Sequence, residues 1–534
     1  MNIIKTDALV IGAGVAGLYQ LHRLREAGFH VTCVDAAPDI GGTWHWNCYP
    51  GARLDSPSYT YQYWFSEDIY NEWEWSERFA RQPEIKRYLK FVANKLDLWP
   101  NITLETRIKS AAWDSANRIW RITSERGQEW HARYLISCMG MLSAPNAPLF
   151  SNQDTFAGMI LHTARWPQEG IDLSGKRVGV VGVGATGIQV IQTIAPEVAE
   201  LYVFQRTPQY AVKMRNHPLT NSDHDFWRSQ YPTMRDSLHT TFGGFEWNIP
   251  EVGVAGEMTA EERHQILEDC WQDGSLKMWV GTYPEVLADP AINAEASEFV
   301  RAKIRTRIND PAVADKLIPK HYGFGTYRVP LETNYYDAFN RKNVHLVDVK
   351  TNPIEGFTPH GLQIAGEEYA LDVLIFATGF DAGTGALARV DVRGTGGQSL
   401  GELWQKDIRS TLGLQVHGFP NLFTVAGPLA PSTAFCNMTT CLQQQVDWVT
   451  DAILLMREQG KTQMEATAEK EEEWVRHHDE IAESTLLMST NSWYTGANIE
   501  GKPRRLLSYI GGVGAYREIC EEIRANNFAG FDIT

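Results

Sequence analysis

Two glycine fingerprints, Gly12-x-Gly14-x-x-Gly17 and Gly182-x-Gly184-x-x-Gly187, constrain the fold of this chain more than any other feature. Each follows a short apolar run, ALVI at 8–11 and RVGVV from 177, and each opens an amphipathic stretch, VAGLYQLHRLREA or ATGIQVIQTIAPEV. Strand, tight turn and helix in that order form a unit whose backbone N–H groups face a pyrophosphate. The first glycine permits the turn, the second lets phosphates approach the backbone, and the third lets helix and strand close up. Two such units predict an α/β chain with two Rossmann-like dinucleotide-binding domains.

The residues ending the second strand of each unit differ in charge. HVTCV ends at Asp35, where an acid can accept hydrogen bonds from an unphosphorylated ribose, so the first clasp suits FAD or NAD. LYVFQ ends at Arg206-Thr207, and a guanidinium can hold a 2′-phosphate bidentately, so the second clasp suits NADP. A plain surface arginine in a turn is the alternative for Arg206.

The chain has 534 residues, too many for one compact core. Its net charge of −16 and lack of a basic stripe argue against nucleic-acid binding, and no apolar run is long enough to cross a bilayer. The opening MNIIKTDALVI lacks the pattern of a signal peptide, so a cytoplasmic protein is expected. Seven cysteines include no CxxC, which argues against a zinc ribbon and a disulfide scaffold. Cys436 and Cys441 lie too late in the chain for the redox pair of a disulfide reductase. No compact His/Cys cluster suggests a metal, and no interface signature separates monomer from homodimer.

Between the clasps stands Gly41-Gly42-Thr43-Trp44, then HWNCYPGARLD ending at Asp55. Arg53 and Asp55 either approach a cofactor or lace this loop together. The aromatic stretch YTYQYWF to 75 is either core or ring-shaped pocket wall. PEIKRYLKFVANKLDL has helical spacing and is expected to cover the first domain. ITLETRI, NRIWRIT and WHARYLISCMG read as an antiparallel insertion or a return to the parallel sheet. From about 209 the nucleotide pattern gives way to helical stretches until VHLVDV and LDVLIF resume it; FPNLFTVAG supplies a last strand. Helices are expected near 437–459 and 465–482, the later one able to begin beside a flavin. The boundaries expected are 1–145 and 381–534 for the FAD domain and tail, 146–208 and 325–380 for the NADP domain, and 209–324 for a mostly helical insertion. With both cofactors, hydride passes from nicotinamide to flavin, and the electrons go to a disulfide, another acceptor or dioxygen.

Phe156-x-Gly158-x-x-x-His162-x-x-x-Trp166-Pro167 matches, at every fixed position, the fingerprint of the single-chain Baeyer–Villiger monooxygenases, which this sequence resembles over nearly its whole length. Gly41-Gly42-x-Trp44-x-x-x-x-Tyr49-Pro50-Gly51-x-x-x-Asp55, QPEI at 82–85, FQRTP at 204–208, ATGFD at 377–381 and SWYTGAN…GKPR at 492–504 resemble it too. The resemblance implies FAD, NADPH with NADP+ retained during oxygenation, and conversion of a ketone and dioxygen to an ester or lactone through a C4a-peroxyflavin. Sulfur- or nitrogen-oxidising monooxygenases and an NADPH-dependent flavin reductase or oxidase are the alternatives.

Carried over position by position, the resemblance implies that Arg328 in GTYRVPLETNYY is the catalytic arginine and that Asp55 holds it. Thr43 and Trp44 would join the flavin clasp, while Trp493 and Lys502 would help to hold the nicotinamide nucleotide. His162 and Trp166 are expected to control domain geometry rather than acid–base chemistry. The family commonly has Lys-Arg where this chain has Tyr327-Arg328, which weakens the expected contact to the NADPH phosphate.

Overall fold

A computed structural model describes residues 3–247, 253–433 and 435–534. Two sheet cores, one mixed and one parallel, stand side by side. The first is an eight-stranded sheet in the order Asp391–Arg393, Ile108–Asp114, Ile119–Ser124, Glu129–Ser137, Ile4–Ile11, Val31–Val34, Ile102–Thr103, with Leu422–Thr424 also on Glu129–Ser137. Glu129–Ser137 pairs antiparallel to Ile119–Ser124 and parallel to Ile4–Ile11, so the segments from 102 to 140 are both an antiparallel insertion and a return to the parallel sheet. The second sheet is entirely parallel: Val344–Asp348, Glu200–Gln205, Arg177–Val181, Val373–Phe376, Met159–His162. Buried on both faces, its central strands are near-continuous apolar runs, which is why RVGVV and VLIF were legible.

The helices between the halves of the second sheet start where the sequence caps them. Thr220 and Thr259 each form a capping box, with Asp223 and Glu262. Asp289 and Asp310 accept from the first-turn amides, each just ahead of a proline whose fixed φ suits helix entry. These caps position Asn221–Leu238, Ala260–Asp273, Pro290–Arg305 and Pro311–Leu317.

Two features go beyond the expectations from sequence. A three-stranded antiparallel sheet, Ile354–Thr358, Gly361–Ile364 and Glu367–Ala370, escaped notice. Its second turn places Ala365 and Gly366 at φ 50° and 78°, a hairpin conformation usually signalled by Asn-Gly. The chain end likewise adds a helix, Val513–Ala525, and a strand, Phe531–Ile533, paired with Met464–Ala466.

The aromatic stretch is mainly core. Tyr59, Tyr63, Trp64, Tyr70 and Trp75 are buried in the cluster around the helix Val15–Glu26, and the Tyr63 hydroxyl donates to the Val15 carbonyl at 2.6 Å. Gln82–Lys95 covers the same cluster with Ile85, Tyr88, Leu89 and Val92. The two sheets meet through the loop after Trp44. Tyr49 donates to Gln189 at 2.9 Å, and a Cβ on Gly51 (φ 85°) would lie 2.2 Å from the Thr193 side chain, so only glycine lets that loop seat on the second clasp's helix. Among the described residues, no helix is long and apolar enough to cross a membrane, and no His/Cys/Asp/Glu group is arranged to hold a metal.

Candidate active site

A cavity of about 1100 Å³ touches both fingerprints. Gly12, Gly14, Asp35, Thr43 and Trp44 line it from the first core; Gly182, Gly184, Arg206 and Thr207 line it from the second. Arg328, Asp55 and Trp493 also lie on its wall.

The glycines divide as the turn requires. A Cβ on Gly17 would lie 1.7 Å from the Gly12 carbonyl oxygen, and one on Gly187 would lie 2.2 Å from that of Gly182. These two therefore permit close contact between helix and strand rather than lining the cavity. A Cβ on Gly184 would meet nothing within 4 Å and would project into open space. Both helices beginning here, Val15–Glu26 and Ala185–Ile194, have a glycine N-cap without a side-chain hydrogen bond. Their first-turn amides thus remain for an anion, and the two cradles fit two dinucleotide pyrophosphates.

Asp35 accepts from the Ala13 amide at 2.7 Å and the Ala37 amide at 2.8 Å, one through each oxygen. Burial raises its carboxyl pKa, and the two amides oppose that rise. Each oxygen retains a lone pair for a ribose hydroxyl. Trp44 donates to the Tyr61 hydroxyl at 3.0 Å, which fixes its indole beside the cavity.

Arg328 is held from several sides. Its Nη2 donates to Asp55 Oδ2, its Nη1 donates to the Thr433 carbonyl at 2.9 Å, and the guanidinium carbon lies 5.1 Å from the Trp279 ring centroid. The side chain is 15% exposed, so its charge is enclosed but reaches the cavity. Burial disfavours that charge; Asp55 and the Tyr494 hydroxyl outweigh it and raise the pKa above the ordinary arginine value. Tyr494 is the contact that motif reading missed. It is fully buried behind the wall, its ring parallel to Trp279, and only its place beside Trp493 in the tail pointed to it. Arg53 lines the cavity but pairs with Glu77 at 3.7 Å, so it does not lace the loop to Asp55.

His162 and Trp166 lie off the cavity wall. His162 Nε2 is 3.4 Å from the Asn146 carbonyl, which also accepts from Thr378, and its Nδ1 accepts from the Ala164 amide at 3.0 Å. Burial lowers its pKa, and the ring ties the chain at Asn146 to the turn at Ala164. Trp166 is buried, and its carbonyl accepts from the Cys48 thiol at 3.4 Å.

Two expectations are corrected. Lys502 is not on the cavity wall: its ammonium bonds Asp381 at 2.6 Å and the Ala382 carbonyl, tying the tail to the chain's return from the second sheet. The helix that begins at the cavity is Met438–Glu458, whose Met438 and Leu442 line it; the later helix, Ala468–Glu483, contributes no wall residue. Cys436 and Cys441 form a disulfide at that helix entrance, with Cys436 on the wall. It bridges neighbouring positions and staples no separate elements.

Two dinucleotide cradles sharing one cavity with an enclosed arginine define a two-cofactor flavoprotein oxidoreductase. The flavin-binding monooxygenase-like family matches residues 5–217. The chain is 53% identical over 535 residues to the acetone monooxygenase (methyl acetate-forming) of Gordonia sp. (strain TY-5), covering 100% of each. It is 39% identical to the cyclopentanone 1,2-monooxygenase of Comamonas sp., covering 99% of this chain and 96% of that one. Its fold matches cyclohexanone monooxygenase from Rhodococcus sp. Phi1 bound to NADP+ with a TM-score of 0.97 at 38% identity, covering 100% of each chain. The chain belongs to the Baeyer–Villiger monooxygenases. It uses FAD and NADPH with dioxygen to insert one oxygen beside a ketone carbonyl.

Proposed function

We propose that the substrate is a small open-chain ketone of the acetone class, converted to its ester. The observation carrying this reading is the full-length similarity to an enzyme named for forming methyl acetate. The wall near Arg328 supports it: Trp279 and Phe435 pack with centroids 5.6 Å apart, and Phe245, Leu276 and Met438 line the same cavity, so bulky apolar groups surround the carbonyl site.

Bound FAD and NADPH supply the hydride relay and the activation of dioxygen. Arg328 presents a fixed positive charge where negative charge develops on the carbonyl oxygen as its carbon becomes tetrahedral. Asp55 orients that guanidinium and keeps it charged. Gly12, Gly14 and Gly17 with Asp35, Thr43 and Trp44 hold FAD. Gly182, Gly184 and Gly187 with Arg206, Thr207 and Trp493 hold NADP(H). Trp279 and Phe435 exclude water from the reacting carbonyl. His162 and Trp166 set the relation between the FAD segments, 1–145 and 381–534, and the NADP segments, 146–208 and 325–380; the helical segment 209–324 covers the cleft.

The test is a ketone panel under isotopically labelled dioxygen. Acetone and butanone are expected to give labelled esters with higher kcat/KM than cyclopentanone or cyclohexanone. Preference for the cyclic ketones would overturn the substrate assignment. Efficient sulfur or nitrogen oxidation without any labelled ester would overturn the reaction.

A further inference from the structure

A nucleotide 2′-phosphate carries about −1.5 to −2 charges at neutral pH, more than one guanidinium neutralises. On the cavity wall Arg206 supplies one cation, and beside it Tyr327 supplies an uncharged hydroxyl, its ring packed against Tyr322 at 4.5 Å. The tail brings a second cation, Arg504, within electrostatic reach of Tyr327 from just outside the residues that line the cavity. Thr490 Oγ1 donates to the Thr326 carbonyl at 3.1 Å, which anchors the segment before Trp493 directly to the residue preceding Tyr327. Arg504 Nη2 in turn donates to the Thr490 carbonyl at 3.0 Å and to the Met488 carbonyl. Asn491, the next residue along, lines the cavity.

Arg504 is exposed, and its Nε and Nη1 have no partner among the described residues. No carboxylate among those residues pairs with Arg206 or Arg504, although the protein carries a net charge of −16. Nearby Lys502 and Arg505, by contrast, are paired with Asp381 and with Asp407 and Asp479. Both Arg206 and Arg504 act on the Tyr327 phenol, opposing the upward shift that burial causes. An uncommitted guanidinium edge suits phosphate oxygens geometrically as well as by charge.

We propose that Arg504 is the second cation for the 2′-phosphate of NADP(H), reaching from the C-terminal tail to the edge formed by Arg206 and Tyr327. This rests on the assignment of Arg206 and Thr207 to that phosphate. Cofactor selectivity is then shared between the second core and the tail, so the phosphate helps to hold the tail over the cavity.

Calorimetric titration of the FAD-loaded protein with 2′,5′-ADP, NADP+ and NAD+ tests this without turnover. Arg504→Gln keeps a hydrogen-bond donor for the two carbonyls but removes the charge. It is expected to weaken 2′,5′-ADP and NADP+ about tenfold, the size of one charge-assisted hydrogen bond, and to leave NAD+ unchanged. The salt dependence of 2′,5′-ADP binding should flatten as well. Adding Tyr327→Lys to Arg504→Gln should restore the lost affinity. Unaltered 2′,5′-ADP binding in Arg504→Gln with loss in Arg206→Gln would overturn the role of Arg504 and leave the phosphate site standing. No loss in either variant would remove both. Equal weakening of NADP+ and NAD+ by Arg504→Gln would mean that the residue only supports the tail, which also overturns the proposal. Flavin absorbance and the thermal midpoint exclude a folding defect in each variant.

Discussion

Arg328 and Asp55 are 273 positions apart in the chain, yet Arg328 Nη2 donates directly to Asp55 Oδ2 at the edge of the cofactor cavity. The pair links the loop following the helical segment to the loop following the first nucleotide turn. A second bond, from Nη1 to the Thr433 carbonyl, attaches the same guanidinium to the entrance of the helix Met438–Glu458.

Arg328→Ala is expected to keep FAD and reduction by NADPH while ester formation falls by about 100-fold or more, the usual loss on removing a preorganised donor at developing charge. Rapid-reaction absorbance separates the two half-reactions. Normal ester yield with this variant would remove Arg328 from catalysis.

Asp55→Ala should cost more stability than Arg328→Met. It leaves a guanidinium enclosed without its counter-charge, a loss of about 3 to 5 kcal/mol where burial is complete and less at the 15% exposure seen here. The thermal midpoints of the flavin-loaded variants rank the two. An Asp55→Ala midpoint equal to that of the parent would show that the pair contributes nothing to folding.

Gly184→Ala and Gly187→Ala should fail in different ways. At Gly184 the new methyl enters open space at φ −70°, a conformation alanine adopts freely, so the protein folds but NADP+ binding is lost. At Gly187 it would press on the Gly182 carbonyl, so the thermal midpoint falls. Calorimetry and thermal melts on both variants check the contrast.

His45 predicts a loss of stability in acid. Burial, with Lys86 nearby, lowers its pKa from 6.5 to about 4. Between those values the unfolded chain binds a proton that the folded chain does not. Its contribution is therefore complete above pH 6.5 and is lost as pH falls toward 4, by at most about 3 kcal/mol. Replacing it in His45→Gln should flatten the fall in thermal midpoint between pH 7 and 5; an unchanged slope would assign the acid sensitivity elsewhere.

Tyr494→Phe should retain cofactor binding and fold while lowering the rate of ester formation a few-fold and altering its pH profile, because only the hydroxyl beside Arg328 is removed. A parent-like pH profile would reduce Tyr494 to a packing role.

The clasps were legible because a tight phosphate-facing turn requires glycine at set intervals, and buried parallel strands require apolar runs. Those are local demands, visible within about 30 residues. The charge ending each second strand was local too, which is why Asp35 and Arg206 could be read as suited to different dinucleotides. Residues whose meaning depends on a distant partner were less legible. Lys502 had the right charge and motif but is bound to Asp381. Tyr494 carried no motif of its own, and the 354–370 hairpins lacked the usual turn residues.

Sequence alone determined the two dinucleotide units, their order and the family, because each depends on side chains and glycines at fixed short spacing. Tertiary structure decided which charges meet: Arg328 with Asp55, Lys502 with Asp381, and Arg504 with the segment beside Tyr327. Electrostatic partners are chosen by distance in space after the two sheets and the tail have packed, and spacing along the chain does not encode that distance.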